Sequence, residues 1–304
     1  MVDYHKTFQP VFNQHGFKPT KAFREGPRFY VIGGDYRGGK AIFKADLEAE
    51  AKRLPKARLR LRREGIFLRH VRLKHVPKFY ARGVEGKIFW LLEELVPGES
   101  QELGESTFLI KDLFFNDRNL RFSLEFLTEL HRLSEKPQPQ FERHFSRYTL
   151  SDYANLILID KDSVLGKTLS AKADTFLRRQ HRLFNENQTV ITHHEIYGPH
   201  IFIGADSFKI IDWENVGWGN PAHDFVELWI RSFAHQDFRT EFFERFHASQ
   251  REKEAFDRLF RLEVILQGIG NLNHFKTPEI LEEREVADEV SGFLLENIEK
   301  AVGK

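Results

Sequence analysis

Apolar positions occur in short, strand-like runs through the first hundred residues and recur at helical spacing through most of the remainder. Arg28–Ile32 and Lys40–Lys44 read as two strands on either side of Gly33–Gly39, a glycine-rich segment suited to a hairpin. A basic helix is expected from Pro55 to His70, followed by strands at Phe79–Ala81 and Lys87–Leu92. Val96-Pro97-Gly98 then breaks the pattern. Beyond Ser100 the helical period dominates at Leu120–Leu133, Ser170–Phe184 and Asp224–Phe233, and again from Phe238 onward. A strand-turn-strand island from about Val190 to Trp213 interrupts it. Strands gathered first and helices later predict an α+β protein with two lobes. The small antiparallel-sheet lobe is expected over 1–96 and the larger helical lobe over 97–304.

Composition removes several classes of chemistry. With no cysteine, thiolate catalysis, disulfides and cysteine-ligated metal centres are excluded. A formal net charge of +1 gives no whole-chain attraction to nucleic acid or membrane. No stretch reaches the roughly 18 apolar residues of a bilayer span, and the opening MVDYHKTFQP lacks a signal-peptide core, so a cytoplasmic protein is expected. The 30 phenylalanines point to a core rich in aromatic rings.

The chemistry concentrates in His193-His194-Glu195-Ile196-Tyr197-Gly198-Pro199-His200-Ile201-Phe202 and the following Ile210-Ile211-Asp212-Trp213-Glu214. A carboxylate on a tight loop, a candidate metal ligand five residues later and a strand ending in Asp form a layout suited to phosphoryl transfer. One carboxylate orients the attacking hydroxyl, and others hold a cation against the phosphates. Together with Gly217-Trp218-Gly219-Asn220-Pro221-Ala222-His223-Asp224-Phe225-Val226, this run resembles the small-molecule kinases of the aminoglycoside phosphotransferase and choline kinase group. Their pattern is H-G-D-x-x-x-x-N-I-L, then I-D-W-E, then G-W-G-D-P-A-Y-D-L-A. The resemblance extends over roughly residues 20 to 230 and includes Leu127-Thr128-Glu129-Leu130-His131-Arg132-Leu133.

That resemblance implies a two-lobed protein-kinase-like fold and an ATP-dependent phosphotransferase acting on a hydroxyl of a small molecule. It implies Lys44 as the phosphate-gripping lysine, Glu64 as its helical partner, and Glu94 and Val96 in the hinge segment whose backbone holds adenine. It also implies Asp212 and His200 as ligands of magnesium, with manganese as the alternative, and Glu195 as the group that orients or deprotonates the acceptor. His193 is expected to bond neighbouring backbone, Asp224 to brace the loop, and Trp213, Trp218 and Trp229 to pack.

The chain departs from the family pattern at three positions in the loop. Glu195 stands where the family carries Asp, His200 where it carries Asn, and His194 where it carries Gly. Glu25-Gly26-Pro27-Arg28 also replaces a Gly-Ser-Asn type of turn. A pseudokinase serving as a binding or regulatory module is therefore the alternative reading. The P-loop-like Gly34–Ala41 lacks the final hydroxyl and leads into a strand, and Pro199 rules out a zinc-binding H-E-x-x-H helix. The Lys52–Lys78 stretch carries eleven Lys or Arg against the single acid Glu64, which leaves an anionic ligand or nucleic acid as a third reading.

Overall fold

A computed structural model describes residues 3–26, 29–47, 57–104, 106–136, 138–157, 161–275 and 284–303. Arg28 of the first expected strand, and Lys52, Arg53, Pro55 and Lys56 of the basic stretch, lie outside the described residues. The chain forms two compact units: Met1–Ser100 with His200–Val216, and Gln101–Pro199 with Gly217–Lys304.

The first unit is built on a five-stranded antiparallel sheet. Its strands are β1 (Phe17–Glu25), β2 (Phe29–Tyr36), β3 (Gly39–Asp46), β4 (Phe79–Glu85) and β5 (Ile88–Glu94), in the order β1-β2-β3-β5-β4. Alternation along β3 assigns its two faces. Ala41, Phe43 and Ala45 are buried, and Phe43 packs against Phe8 and Phe12 of helix α1 (Tyr4–His15) at ring distances of 5.0 and 4.9 Å. Ile42 and Lys44 take the opposite side, towards α2 (Ala57–His70). The N-terminus of α1 is capped by Asp3, which accepts from the Lys6 amide at 3.1 Å.

Two features of this sheet differ from the sequence expectation. The glycine-rich segment is mostly strand, and the hairpin turns only at Arg37–Gly38, both with positive φ. Gly33 and Gly34 lie within β2, beside the irregular stretch of its antiparallel neighbour β1, which the sequence pattern did not reveal and which comes close to them. A Cβ on Gly34 would lie 2.3 Å from the Lys18 carbonyl oxygen, and one on Gly33 would lie 2.6 Å from the Phe23 ring.

A second, three-stranded sheet joins β6 (Glu99–Ser100), β10 (Ile201–Ile203) and β11 (Phe208–Ile210) in the first unit. The second unit opens with the short pair β7 (Glu102–Leu103) and β8 (Ser106–Ile110). Helices follow: α3 (Asp117–Arg132), α4 (Pro139–His144), α5 (Leu150–Ile157) and α6 (Lys161–Glu186), the last broken at Gly166. Strand β9 (Val190–Thr192) pairs with β12 (Gly217–Gly219). Helices α7 (His223–Arg231), α8 (Gln236–Ser249), α9 (Lys253–Phe275) and α10 (Arg284–Gly303) complete the chain. The core of this unit centres on Phe225, stacked on Phe242 and Phe246 at 4.5 and 4.6 Å. Among the described residues, no helix is long and apolar enough to cross a membrane.

Replacing Gly34 with alanine should force β1 off β2, because the clash is with backbone that cannot rotate away. Urea unfolding of Gly34→Ala is expected to show a loss of about 1–3 kcal/mol or more. Gly39→Ala, whose Cβ would meet only the Tyr36 carbonyl at 3.7 Å, should leave the midpoint nearly unchanged.

Candidate active site

In the first unit the β3–β5 register pairs Ile42 with Glu93, so Lys44, two residues on, shares a face with Glu93. The Lys44 ammonium lies 2.8 Å from Glu93 Oε1 and 2.8 Å from Glu64 Oε1 on α2. The Lys44 side chain is 13% exposed, and Glu64 and Glu93 are 1% and 2% exposed. Burial opposes the ammonium, but Glu64, Glu93 and Asp212 outweigh it and hold the Lys44 pKa well above its ordinary value. Burial in turn raises the carboxyls of Glu64 and Glu93 despite the lysine beside them. One ammonium thus contacts two carboxylates and feels a third, and among the described residues the buried Oε2 atoms of Glu64 and Glu93 have no hydrogen-bond partner.

Asp212 follows directly from a hairpin. β10 and β11 pair Ile201 with Ile210, the Ile211 amide donates to the His200 carbonyl at 2.9 Å, and the chain then turns at Asp212 with φ 66°. This brings Asp212 Oδ2 within 3.5 Å of His200 Nε2, two donor atoms close enough to share one small cation. The same turn is tied to α2. The Trp213 amide donates to Glu64 Oε1 at 3.3 Å, the Trp213 ring stacks on Phe67 at 4.1 Å, and Arg60 pairs with Glu214 at 3.3 Å. Glu64 therefore serves both Lys44 and the segment that carries Asp212.

The expected hinge is fixed by side-chain bonds. Glu94 Oε2 accepts from Lys209 Nζ at 2.8 Å and from the Lys78 amide at 3.0 Å, while the Glu94 amide donates to the Lys78 carbonyl at 2.9 Å. Val96 is 8% exposed.

In the second unit, four consecutive loop amides are each captured. His193 N and His194 N donate to Asp224 Oδ2 and Oδ1 at 2.7 and 3.0 Å. Glu195 N donates to His193 Nδ1 at 3.2 Å, and Ile196 N donates to Glu227 Oε2 at 2.7 Å. Asp224 is the expected brace and His193 makes the expected local bond; Glu195 is half-buried at the centre of this frame. Behind it, His223 Nδ1 meets Glu263 Oε2 at 3.0 Å. Glu263 also accepts from Asn220 Nδ2 and from Gln267 Nε2. Burial disfavours the His223 imidazolium, but Glu263, Glu227 and Asp224 overcome this and lift its pKa to about 9. Burial pushes Asp224 up to about 7, against the pull of His223 and the two loop amides.

His223, Asp224 and Glu227 bring ligand atoms within 4.8 Å of one another. Both Asp224 oxygens and one Glu227 oxygen are spent on loop amides, and His223 is committed to Glu263. The trio therefore acts as a brace. Glu93, Glu227 and Glu263 were not identified from sequence. Glu93 lies in an apolar strand beside the hinge motif. Glu227 falls on the same face of α7 as His223, one turn on, which is the only local signal it offers.

The His223–Glu263 pair sets a pH dependence. A folded pKa of about 9 against 6.5 unfolded gives stability that is fully present below pH 6.5 and lost as pH rises through about 9. The unfolding free energy from denaturant titrations should fall across that window by about 3 kcal/mol in total. In Glu263→Gln the slope should flatten; an unchanged slope would assign it to other groups.

A family model described as the phosphotransferase enzyme family matches residues 22–260. Among solved structures, a thermostable mutant of aminoglycoside phosphotransferase APH(4)-Ia in complex with AMP-PNP and hygromycin B is 16% identical, with 100% of both chains covered and a TM-score of 0.60. An aminoglycoside 2'-phosphotransferase-IIIa in complex with GDP is 16% identical, covering 99% of this chain and 97% of its own, with a TM-score of 0.63. An amicoumacin kinase bound to AMP-PNP and calcium is 12% identical, covering 97% and 94%, also at 0.63. These likenesses show a shared kinase-like fold. No significant match was found among curated proteins. The family model spans well over half of the chain, and the chain belongs to the phosphotransferase enzyme family.

Proposed function

We propose that the protein transfers the γ-phosphoryl group of ATP to a hydroxyl of a small molecule. The observation that carries this reading is the buried Lys44 held at 2.8 Å by both Glu64 and Glu93, with its ammonium form favoured by the carboxylates around it. A lysine clamped in this way is fixed in position and stays protonated, which suits it to grip phosphate oxygens. The nucleotide complexes of the structural relatives support the same reading.

In this proposal the backbone of Glu94 and Val96 holds adenine, and Lys44 binds the α and β phosphates. Asp212 and His200 would hold a divalent cation, which supplies neutralisation of phosphate charge. Their mixed oxygen and nitrogen donors suit manganese better than magnesium. Glu195 orients the acceptor hydroxyl and takes up its proton as the oxygen attacks. Its reach is one methylene longer than that of aspartate, so its backbone must be held in compensation. The second unit supplies that hold through Asp224, Glu227 and the His193 ring.

The test combines binding and turnover. ATP with manganese at a hundredfold excess over its dissociation constant should raise stability by about 2.7 kcal/mol, with a smaller shift for magnesium. Asp212→Asn should lose the metal-dependent part of the shift. Glu195→Gln should keep the shift but lose phosphoryl transfer by about a hundredfold or more. Absence of any nucleotide shift in the unaltered protein would sink the proposal. A full shift without turnover would instead favour a pseudokinase that binds nucleotide as a regulatory module.

A further inference from the structure

His194 occupies the loop position immediately before Glu195, and its backbone is left-handed at φ 72°. A non-glycine residue held there is strained and persists only where its surroundings over-determine it. Those surroundings are specific. His194 Nε2 lies 2.7 Å from Thr192 Oγ1, and its Nδ1 lies 3.1 Å from the Tyr153 hydroxyl on α5. The ring packs beside His223 at 4.5 Å and Tyr148 at 5.3 Å. Gly217 makes room for it, since a Cβ at that position would lie 3.3 Å from His194 Nε2.

The hydrogen-bond directions resolve into a single chain. Thr192 donates to the Gly217 carbonyl at 3.3 Å, so its oxygen accepts from His194 Nε2–H. His194 Nδ1 then accepts the Tyr153 hydroxyl proton. The chain ends there: Tyr153 also lies 3.4 Å from His223 Nδ1, but the proton on that nitrogen is committed to Glu263 Oε2 at 3.0 Å. Both ring nitrogens of a neutral His194 are therefore satisfied, in one tautomer. The ring packs within the second unit, against Thr192, Tyr153, Tyr148 and His223.

We infer that His194 is a positioning residue for Glu195. Glycine would leave this link of the loop free to rotate. The imidazole instead pins it through side-chain bonds to β9 and α5, in addition to the bonds made by its backbone. The inference rests on the phosphotransferase reading above, because it assigns His194 the task of holding the acceptor-orienting carboxylate where the longer side chain of Glu195 is productive.

The experiment measures phosphate release from ATP with water as the acceptor, in the presence of manganese, beside unfolding midpoints. His194→Gly is expected to lower kcat by about 10- to 100-fold, since a displacement near 1 Å costs about a hundredfold. KM for ATP should stay within about twofold of the unaltered protein. Tyr153→Phe, which removes a single oxygen from the chain of bonds, should lower kcat in the same direction. Combining the two should cost less than the sum of their separate effects. Ring nitrogen resonances of His194 should report a fixed Nε2–H tautomer in the unaltered protein. A kcat unchanged within twofold in both variants, or a rapidly exchanging tautomer mixture, would overturn the inference and leave the phosphotransferase reading in place. No phosphate release from the unaltered protein would overturn both.

Discussion

The first unit is organised around the balance of charge at Lys44. An ammonium almost removed from water is stable only if carboxylates surround it, and carboxylates almost removed from water are stable only beside a cation. Lys44, Glu64 and Glu93 meet both conditions, each from a different element. The consequence extends beyond the pair of elements usually needed for a salt bridge. Because Glu64 also accepts the Trp213 amide, the position of α2, the register of β3 against β5 and the turn at Asp212 are all set by the same few atoms. The stack of Phe67 on Trp213 adds an apolar contact along the same line. Removing the lysine would leave two buried carboxylates facing each other, so charge and packing cannot be altered independently here.

The second unit handles polar groups in another way. A loop that presents a carboxylate cannot satisfy its own backbone with regular structure, and unsatisfied amides at this depth would each cost about 1–3 kcal/mol. Asp224 and Glu227, one turn apart on α7, accept from three of the four amides, and the His193 ring takes the fourth. Gathering acids at the start of a helix is also favourable to the helix itself, whose first amides carry partial positive charge. The extra negative charge is answered by His223, and Glu263 secures His223 from α9. The loop geometry is thus inherited from two helices that lie far from it in sequence.

Much of this arrangement was legible in the sequence, though unevenly. The order of strands then helices could be read from periodicity, and the Lys44–Glu64 pair and the Asp224 brace from the resemblance of spaced motifs to the family pattern. Strand β1 escaped because Pro19 and a largely exposed run disguise its period, and Gly33 and Gly34 then read as a turn. Their actual role, allowing close approach of a neighbouring strand, is tertiary and has no local signature. Glu93 escaped for a related reason: a carboxylate in an otherwise apolar strand reads as the end of that strand until its cross-strand partner is known. Glu227 and Glu263 look like ordinary helical acids, since burial of a helical face against a loop cannot be read from the helix alone.

The three non-glycine residues with positive φ among those described fall into two kinds of setting. Arg37 sits in a two-residue hairpin, where such dihedrals match the twist of the flanking strands and the cost is largely local. His194 and Asp212 have no such excuse, because each stands at an irregular junction beside a β-strand and next to residues of the candidate chemistry. Both positions are held by bonds reaching across the unit: the His194 ring to Thr192 and Tyr153, and the residue after Asp212 to Glu64. A chain under no demand at these points could relax to ordinary dihedrals and recover the strain. It instead surrounds each with fixed partners, which over-determine the backbone and hold it in a conformation it would otherwise leave.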